Sequence, residues 1–535
     1  MKSRTMLIGL DGATFSVLDS LIGEGVMPFL EGMIASGVRA ELFSVVPPLT
    51  PPAWTSLMTG RSPGNHGVFD FFSFEFQDGN PYLRVTDAND VRCETIWSIA
   101  SRQGLKTTML NFPLTSPPRP ISGYVIPGWV PWRHLRLACY PDGLYDRIKG
   151  LPGFNPRDLA MDMALEGKAL EGNYEEEDYE EWILLHLRRE KQWFEILRHL
   201  MKEDPCDLTA VLFDGVDKLQ HFCWRFLDPE CFPANPSAWE LKIRNLCLDY
   251  FREIDRFLAE ISELAGPEAN TVIVSDHGFG ASVEVFHLNA WLHEHGYLFW
   301  AKPDAESKHS EQLGVESMAR RFYDVDWSRT VAYCPAPSSN AIYFSNAVRD
   351  HQDRSSGENY AQVRDEMIRA LRQFTDPATG EPVVKQVWTR EEAFSGRYMG
   401  KAPDVTVAFR DCGMASILPS DTILTPRHEP SGTHRPEGIF IASGPSIRKG
   451  DSLSGFPILN VAPILLHSLG LPIPEDFEGT IPTDLFDASY LRRCPVTVGE
   501  RTVVSEPLAP GVDQGVDNED EEEMVRRLKA LGYME

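Results

Sequence analysis

The chain carries two acid–imidazole pairs whose spacing suits divalent cations. Asp276 and His277 stand side by side in Ser275-Asp276-His277-Gly278, directly after the apolar run Thr271–Val274. Asp217 and His221 stand four residues apart in Asp217-Lys218-Leu219-Gln220-His221, a separation that places both on one face of a helix. Either pair alone is a weak signal. Together they predict a site for two ions, and two ions about 4 Å apart mostly promote attack on phosphate esters.

Such a site needs roughly six or seven ligands around a shared or central nucleophile. Asp11, Asp276 and His277 form one set, and Asp217, His221 and His434 the other. His434 lies in Ser431-Gly432-Thr433-His434, read as a loop just before the strand Gly438–Ala442. Three imidazoles and three carboxylates suit Zn2+, with Mn2+ as the alternative. The candidate nucleophile is Thr50, in Leu49-Thr50-Pro51-Pro52-Ala53-Trp54. A Thr followed by Pro reads as a helix N-cap with Pro at the first helical position. Its hydroxyl then sits where the helix dipole favours an alkoxide and a phosphate, and a bound cation lowers its pKa much further. In-line attack gives a phospho-threonine intermediate, which water hydrolyses from the opposite face.

Each of these residues has a commoner role when taken alone. Asp11 reads as a turn residue or cap, Asp217 with His221 as a helix-surface pair, and His434 as a loop histidine with His428 as competitor. Thr55 and Thr59 compete with Thr50. The joint pattern is what points to a metal centre. Two further residues are candidates for substrate contact: Asn111 at the end of a strand, and Arg435, whose guanidinium suits a phosphate. His66 reads equally as a structural loop residue, and Trp54, Trp129 and Trp132 read first as core.

Short apolar strands alternating with helical patterns must position these groups, which is the signature of an α/β sheet covered on both faces. Met6–Leu10 reads as the first strand and Leu18–Ser36 as a helix. Glu94–Arg102 reads as helical, Leu105–Leu110 as a strand, Trp182–Met201 as an amphipathic helix and Leu208–Phe213 as a strand. Cys247–Leu264, Val461–Leu469 and Glu521–Leu531 read as further helices. Asp11, Asp217 and Asp276 each follow a strand, and open α/β sheets bind ligands beyond the carboxyl ends of their strands. The core is divided as 1–112, 176–294 and 401–495, with insertions at 113–175 and 295–400, a loop-like stretch at 410–435 and an acidic tail at 496–535. The helix Tyr360–Phe374 and the strand-like Asn340–Phe344 fall in the second insertion, and both insertions are placed to roof the site.

Composition narrows the partners. A formal net charge of −27 argues against a nucleic-acid polymer or an anionic membrane, both of which need a basic face. It does not argue against a small phosphorylated substrate, because bound cations make a local positive well. The acidic runs at 175–178 and 518–523 read as solvated surface. No apolar stretch is long enough for a membrane span, and the run 6–10 is too short for a signal sequence, so a cytoplasmic location is expected. Nine cysteines without a CxxC pair agree with reduced, mostly buried thiols. Monomer and homodimer are both open.

Several motifs then fall in one order: Asp11 after a strand, Thr50 ahead of Ser56-Leu57-Met58-Thr59-Gly60, Asn65-His66-Gly67, Asp217 with His221, Ser275-Asp276-His277-Gly278 and Gly432-Thr433-His434. The pattern resembles the alkaline phosphatase superfamily, most closely its type I phosphodiesterase/nucleotide pyrophosphatase branch. Within that branch it resembles the group described as phosphohydrolases or phosphomutases. The resemblance extends to Leu471–Asp476, Gly479 and 528–533, and is weakest across 113–175 and 300–400. It implies a three-layer α/β/α sandwich with a mostly parallel central sheet and inserted cap regions. It also implies Asp11, Thr50, Asp276 and His277 around one ion, and Asp217, His221 and His434 around the other. One departure stands out. Nucleotide pyrophosphatases usually have an Asn shortly after their His-Gly pair, where this chain has Val68-Phe69-Asp70-Phe71-Phe72. Losing such a donor weakens transition-state stabilisation unless another group replaces it.

The expected function is a metal-dependent phosphohydrolase, a phosphodiesterase or phosphomonoesterase. The alternative is a phosphomutase or phosphotransferase, in which the phospho-threonine passes its group to an alcohol. Cofactor-independent phosphoglycerate mutases resemble this core but use Ser and carry differently sized insertions. A sulfatase is disfavoured because 50–54 cannot supply a Cys/Ser-x-Pro-x-Arg run. A scaffold without activity would be expected to have lost some ligands, and all are present.

Overall fold

A computed structural model describes residues 4–77, 80–159, 176–301, 322–345 and 357–503. The strands that carry the site are β1 (Arg4–Leu10), β2 (Val38–Phe43), β3 (Thr107–Leu110), β4 (Gly123–Ile126), β5 (Leu208–Phe213) and β6 (Ala269–Val274). Three more follow, β7 (Gly278–Phe286), β8 (Leu424–Arg435) and β9 (Glu437–Ser443). Eight strands form one sheet in the order Asp451–Ser452, β2, β9, β6, β1, β5, β3, β4, and a ninth, Phe456–Pro457, also pairs with β2. All pairings are parallel except those of β9, which runs antiparallel to both β2 and β6.

Alternation along β1 fills two cores. Met6, Ile8 and Leu10 point into a cluster on one face, whereas Leu7 joins the cluster on the other. The first face is covered by α1 (Phe15–Gly23), α2 (Pro28–Ser36), α4 (Glu176–Glu203), α5 (Gly215–Leu227) and α6 (Ala238–Ala265). The second is covered by α3 (Thr50–Thr59) and the helix Val461–Ser468. Strands buried on both faces read as near-continuous apolar runs, and β5 and β6 are buried at every residue. The architecture is the expected α/β/α sandwich.

The expected helix Leu18–Ser36 is in fact two, α1 and α2. Gly25 takes a left-handed φ of 70° between them and Pro28 opens the second. The loop-like stretch 410–435 is also corrected: its second half is the strand β8, paired antiparallel with β7 across a bulge between Pro426 and Ser431. A separate four-stranded sheet orders Ala332–Tyr333, Ala341–Phe344, Val405–Phe409 and Val384–Thr389, and packs with the helix Gly357–Gln373 around its own core. Val405–Phe409 thus lies in this smaller sheet although a boundary at 400 assigns it to the main core. Conversely, β4 from the segment 113–175 is the edge strand of the central sheet. The expected helix Glu521–Leu531 lies outside the described residues. Among the described residues no helix is long and apolar enough to cross a membrane.

Candidate metal centre

Parallel register brings the acids together. Gly9 of β1 pairs with Val274 of β6, so Asp11 and Asp276 both stand two residues beyond the paired ends. Leu10 pairs with Phe213 on the other side, which sets the start of α5 at the same edge. Asp217 and His221 follow on that helix. His434 reaches the edge from β8, where it stands opposite Phe279 of β7, so it belongs to a strand and not to a loop. Two glycines make the approach feasible. A Cβ on Gly9 would lie 2.6 Å from the Trp54 ring, and a Cβ on Gly432 would lie 2.1 Å from the Gln220 carbonyl oxygen.

Two groups of potential ligand atoms result: Asp11, Asp276 and His277, and Asp217, His221 and His434. His277 Nε2 lies 3.7 Å from Asp11 Oδ1 and 3.3 Å from Asp276 Oδ2. Asp217 Oδ1 lies 3.3 Å from His434 Nε2 and 3.5 Å from His221 Nε2. The stacked rings of His277 and His434, 3.6 Å between centroids, join the groups. The Thr50 hydroxyl lies 3.3 Å from His277 Nε2. Thr50 is the first residue of α3, with Leu49 as its cap, so the expected N-cap moves by one position. Pro51 and Pro52 have no N–H, so this helix start offers fewer donors to a phosphate than a usual one.

The hydrogen bonds test whether cations fit. Each carboxylate has one oxygen engaged by a protein donor. The Gly12 N–H reaches Asp276 Oδ1 at 3.1 Å, Trp54 Nε1 reaches Asp11 Oδ2 at 3.1 Å, and Lys218 Nζ reaches Asp217 Oδ2 at 3.1 Å. The opposite oxygens, Asp276 Oδ2, Asp11 Oδ1 and Asp217 Oδ1, are buried without a hydrogen-bond partner. Leaving such atoms unpaired is costly.

The histidines show the complementary pattern. His277 Nδ1 lies 3.1 Å from Gly278 O, His221 Nδ1 3.1 Å from Gly432 O and His434 Nδ1 2.9 Å from Pro48 O. A carbonyl accepts only from N–H, so each Nδ1 carries a proton, and in the neutral ring Nε2 then presents a lone pair. That is the arrangement found in metal-bound histidines. His221 Nε2 and His434 Nε2 face each other at 3.0 Å, a separation that either a shared cation or a proton on one ring satisfies.

Electrostatics agree. Burial, then the charges of Asp276 and Asp217, raise the Asp11 carboxyl well above its usual range, and burial pushes Asp276 up to about 8. Burial, with His434 adding to it, drives His277 well below its usual value, and burial also lowers His434. Asp217 differs. Burial works to raise it, but the Lys218 charge beside it holds it well below the carboxylate range. Without metal the first group favours protonated acids beside neutral imidazoles. A divalent cation inverts that preference. The residues fit two ions.

The other candidates are not members of the two groups. Asn111 is fully buried and its Nδ2 donates to Leu212 O at 2.9 Å and to Asp214 Oδ1 at 3.1 Å. The Arg435 guanidinium donates to the carbonyls of Asp411 and, at 2.5 Å, Ala281. His66 accepts from the Val68 N–H at 3.2 Å through Nδ1 and lies 2.9 Å from Ser56 Oγ through Nε2, a structural arrangement. After His66-Gly67, where the resemblance leads one to expect an Asn, Asp70 instead accepts from Ser338 Oγ at 2.7 Å and from the Phe71 N–H. Sequence reasoning read Trp54 as core, which it is, without its bond to Asp11, and passed over Lys218. Trp54, four residues after Thr50, shares its helical face, and Lys218 is a charge inside an otherwise buried turn.

The sequence profile of the type I phosphodiesterase / nucleotide pyrophosphatase family matches residues 5–434. Among solved structures, the fold is similar to human ectonucleotide pyrophosphatase / phosphodiesterase 5, with a TM-score of 0.53 and 15% identity over 91% of this chain and 100% of that one. An inactive form of the murine counterpart in complex with AMP gives 0.52 and 14% over 91% and 100%. Phosphonoacetate hydrolase from Sinorhizobium meliloti 1021, in complex with phosphonoformate, gives 0.50 and 18% over 88% and 95%. At these identities the structural likeness speaks for the fold. No curated protein matches the sequence.

Proposed function

The chain belongs to the type I phosphodiesterase / nucleotide pyrophosphatase family, whose members are metal-dependent hydrolases of phosphoester bonds, and from that premise we propose a two-metal phosphohydrolase with Thr50 as nucleophile. One observation carries the reading: three buried carboxylates each keep one oxygen bare beside three imidazoles whose Nε2 lone pairs converge on them. Asp11, Thr50, Asp276 and His277 would hold one ion, and Asp217, His221 and His434 the other. Bound ions, Zn2+ by the donor set with Mn2+ as the alternative, supply Lewis acidity that lowers the pKa of the Thr50 hydroxyl and offsets charge on the phosphoryl oxygens.

The chain's own groups do the rest. The first turn of α3 fixes Thr50 Oγ1 beside His277, and Trp54 on the same helical face orients Asp11. Thr50 Oγ1 forms the bond to phosphorus as the ester oxygen leaves and takes up a proton. Water then cleaves the phospho-threonine, releasing phosphate or a monoester and restoring the hydroxyl. Thr50, Asp11, Asp276 and His277 are all buried, which keeps the electrostatic interactions among them strong. Small phosphorylated molecules are the substrate class. The neighbours bound to AMP and phosphonoformate put nucleotides and phosphonates first in a screen. A phosphomutase built on the same site would transfer the group to an alcohol and release no phosphate.

The test loads purified protein with Zn2+ or Mn2+ and follows para-nitrophenyl mono- and diesters. Thr50→Ala is expected to abolish turnover while metal content stays near two ions per chain. Wild-type rates in Thr50→Ala on every substrate would remove Thr50 from the chemistry. Turnover of a phosphorylated substrate without phosphate or monoester release would favour the mutase.

A further inference from the structure

The donors that occupy the second oxygens of the three carboxylates are not equivalent. Asp276 is held by a backbone N–H and Asp11 by an indole, both neutral. Asp217 is held by the full charge of Lys218, whose side chain is 1% exposed. Lysines are almost never buried unless paired, because desolvating an ammonium is expensive. Neighbouring residues on a helix do not face each other, so this side chain has to fold back to reach Asp217. Tertiary contacts reach both its main chain and its ammonium. Trp182 Nε1 donates to the Lys218 carbonyl at 3.2 Å, and the ammonium lies 5.8 Å from the Trp129 ring centroid, a cation–π distance. Trp129 is itself fixed, with a left-handed φ of 59° that a bulky residue rarely adopts and an indole N–H given to Asp214 Oδ2 at 3.2 Å.

We propose that Lys218 is a positioning residue that keeps Asp217 from closing on the second ion with both oxygens. The proposal rests on the two-ion reading of the site. With Oδ2 tied to the ammonium, Asp217 offers only Oδ1 to the ion held by His221 and His434. A position on that ion then stays open for a phosphoryl oxygen, as catalytic sites require. Once Lys218 is removed, the carboxylate is free to turn and chelate through both oxygens. Loss of the nearby positive charge strengthens the ion's hold in the same direction. Tighter metal binding and slower turnover therefore go together, whereas a lysine that merely supported the fold would loosen the metal when removed.

Wild type, Lys218→Met and Lys218→Arg are compared by calorimetric titration of metal-free protein with Zn2+, by the visible bands of the Co2+-loaded forms and by turnover of para-nitrophenyl esters. Lys218→Met is expected to bind the second ion about tenfold more tightly, to show weaker Co2+ bands as coordination rises, and to lose roughly 10–100-fold in kcat. Lys218→Arg is expected to restore most of the wild-type behaviour. Second-ion affinity that is unchanged or weaker in Lys218→Met, with unaltered Co2+ bands, overturns the proposal. Lys218→Gln carries the same tests should the Met variant not fold. Two ions in wild type with an indistinguishable variant sinks Lys218 alone. Fewer than two ions in wild type sinks the two-ion reading first and Lys218 with it.

Discussion

The two ligand groups are made from unlike parts. Asp11, Asp276 and His277 hang from the ends of neighbouring parallel strands and are fully buried. Asp217 and His221 ride on α5, His434 on β8, and the His221 side chain is 11% exposed. Strand ends inherit their position from ladder hydrogen bonds on both sides, so the first group is a property of the central sheet. The second exists only while a helix and a two-stranded sheet stay docked, through Gly432 against Gln220 and the contact between His221 Nδ1 and Gly432 O. A preorganised group binds with less loss of freedom than one that must be assembled. The first ion is therefore expected to bind more tightly and the second to exchange.

Single ligand losses are the most severe way to break this comparison. Asp276→Asn is expected to lower turnover on the order of 10³-fold, the upper range for losing a transition-state electrostatic element, and to deplete both ions. His221→Ala is expected to cost on the order of 10²-fold and to leave one ion per chain in place. Metal analysis after dialysis decides the matter. Loss of both ions in His221→Ala and retention of both in Asp276→Asn would reverse the assigned order.

A gentler change acts on the docking alone. An added methyl at position 432 meets backbone, which cannot swing away as a side chain can. Gly432→Ala is expected to cost about 1–3 kcal/mol in the thermal unfolding of the loaded protein. Turnover should fall only several-fold at saturating metal, with the loss growing as metal is lowered. Equal sensitivity at all metal concentrations would show that β8 does not govern the second ion.

Much of this division was legible in the residues, and the illegible part has a common cause. Strand ends announce themselves through apolar runs that stop at an acid, as Met6–Leu10 does before Asp11 and Thr271–Val274 does before Asp276. Leu424–Arg435 has no apolar run and contains Pro426, Pro430 and Gly432, so it reads as a loop. It is a strand because β7 pairs with it, a relation no local window contains. Gly25 and Pro28 mark the split between α1 and α2, against an apolar periodicity that runs across both. Lys218 and Trp54 are ordinary residues in sequence. Their roles come from which carboxylate oxygen they reach, and only the folded chain fixes that.

The contrast extends to protons, where the predicted effect on the loaded enzyme is smallest. In metal-free protein, burial raises Asp11 and brings Asp276 up to about 8, whereas Lys218 holds Asp217 low. For a carboxyl raised on folding, the native state binds more protons than the unfolded chain between the unfolded value near 3.8 and the folded value. Stability of the metal-free form is then lost as pH rises through that window, up to about 8. A lowered carboxyl has the opposite sign, so Asp217 contributes stability that is lost on acidification below its ordinary range. Metal-free Tm is expected to peak in mildly acidic solution and to decline toward pH 8, and Asp276→Asn should flatten the alkaline limb while leaving the acid limb alone. Saturating Zn2+ should remove most of the alkaline decline, since ligation keeps these carboxylates ionised. A metal-free Tm that climbs from pH 5 to pH 8 would mean that the strand-end acids are already compensated without cations, and the two groups would then differ in architecture but not in charge.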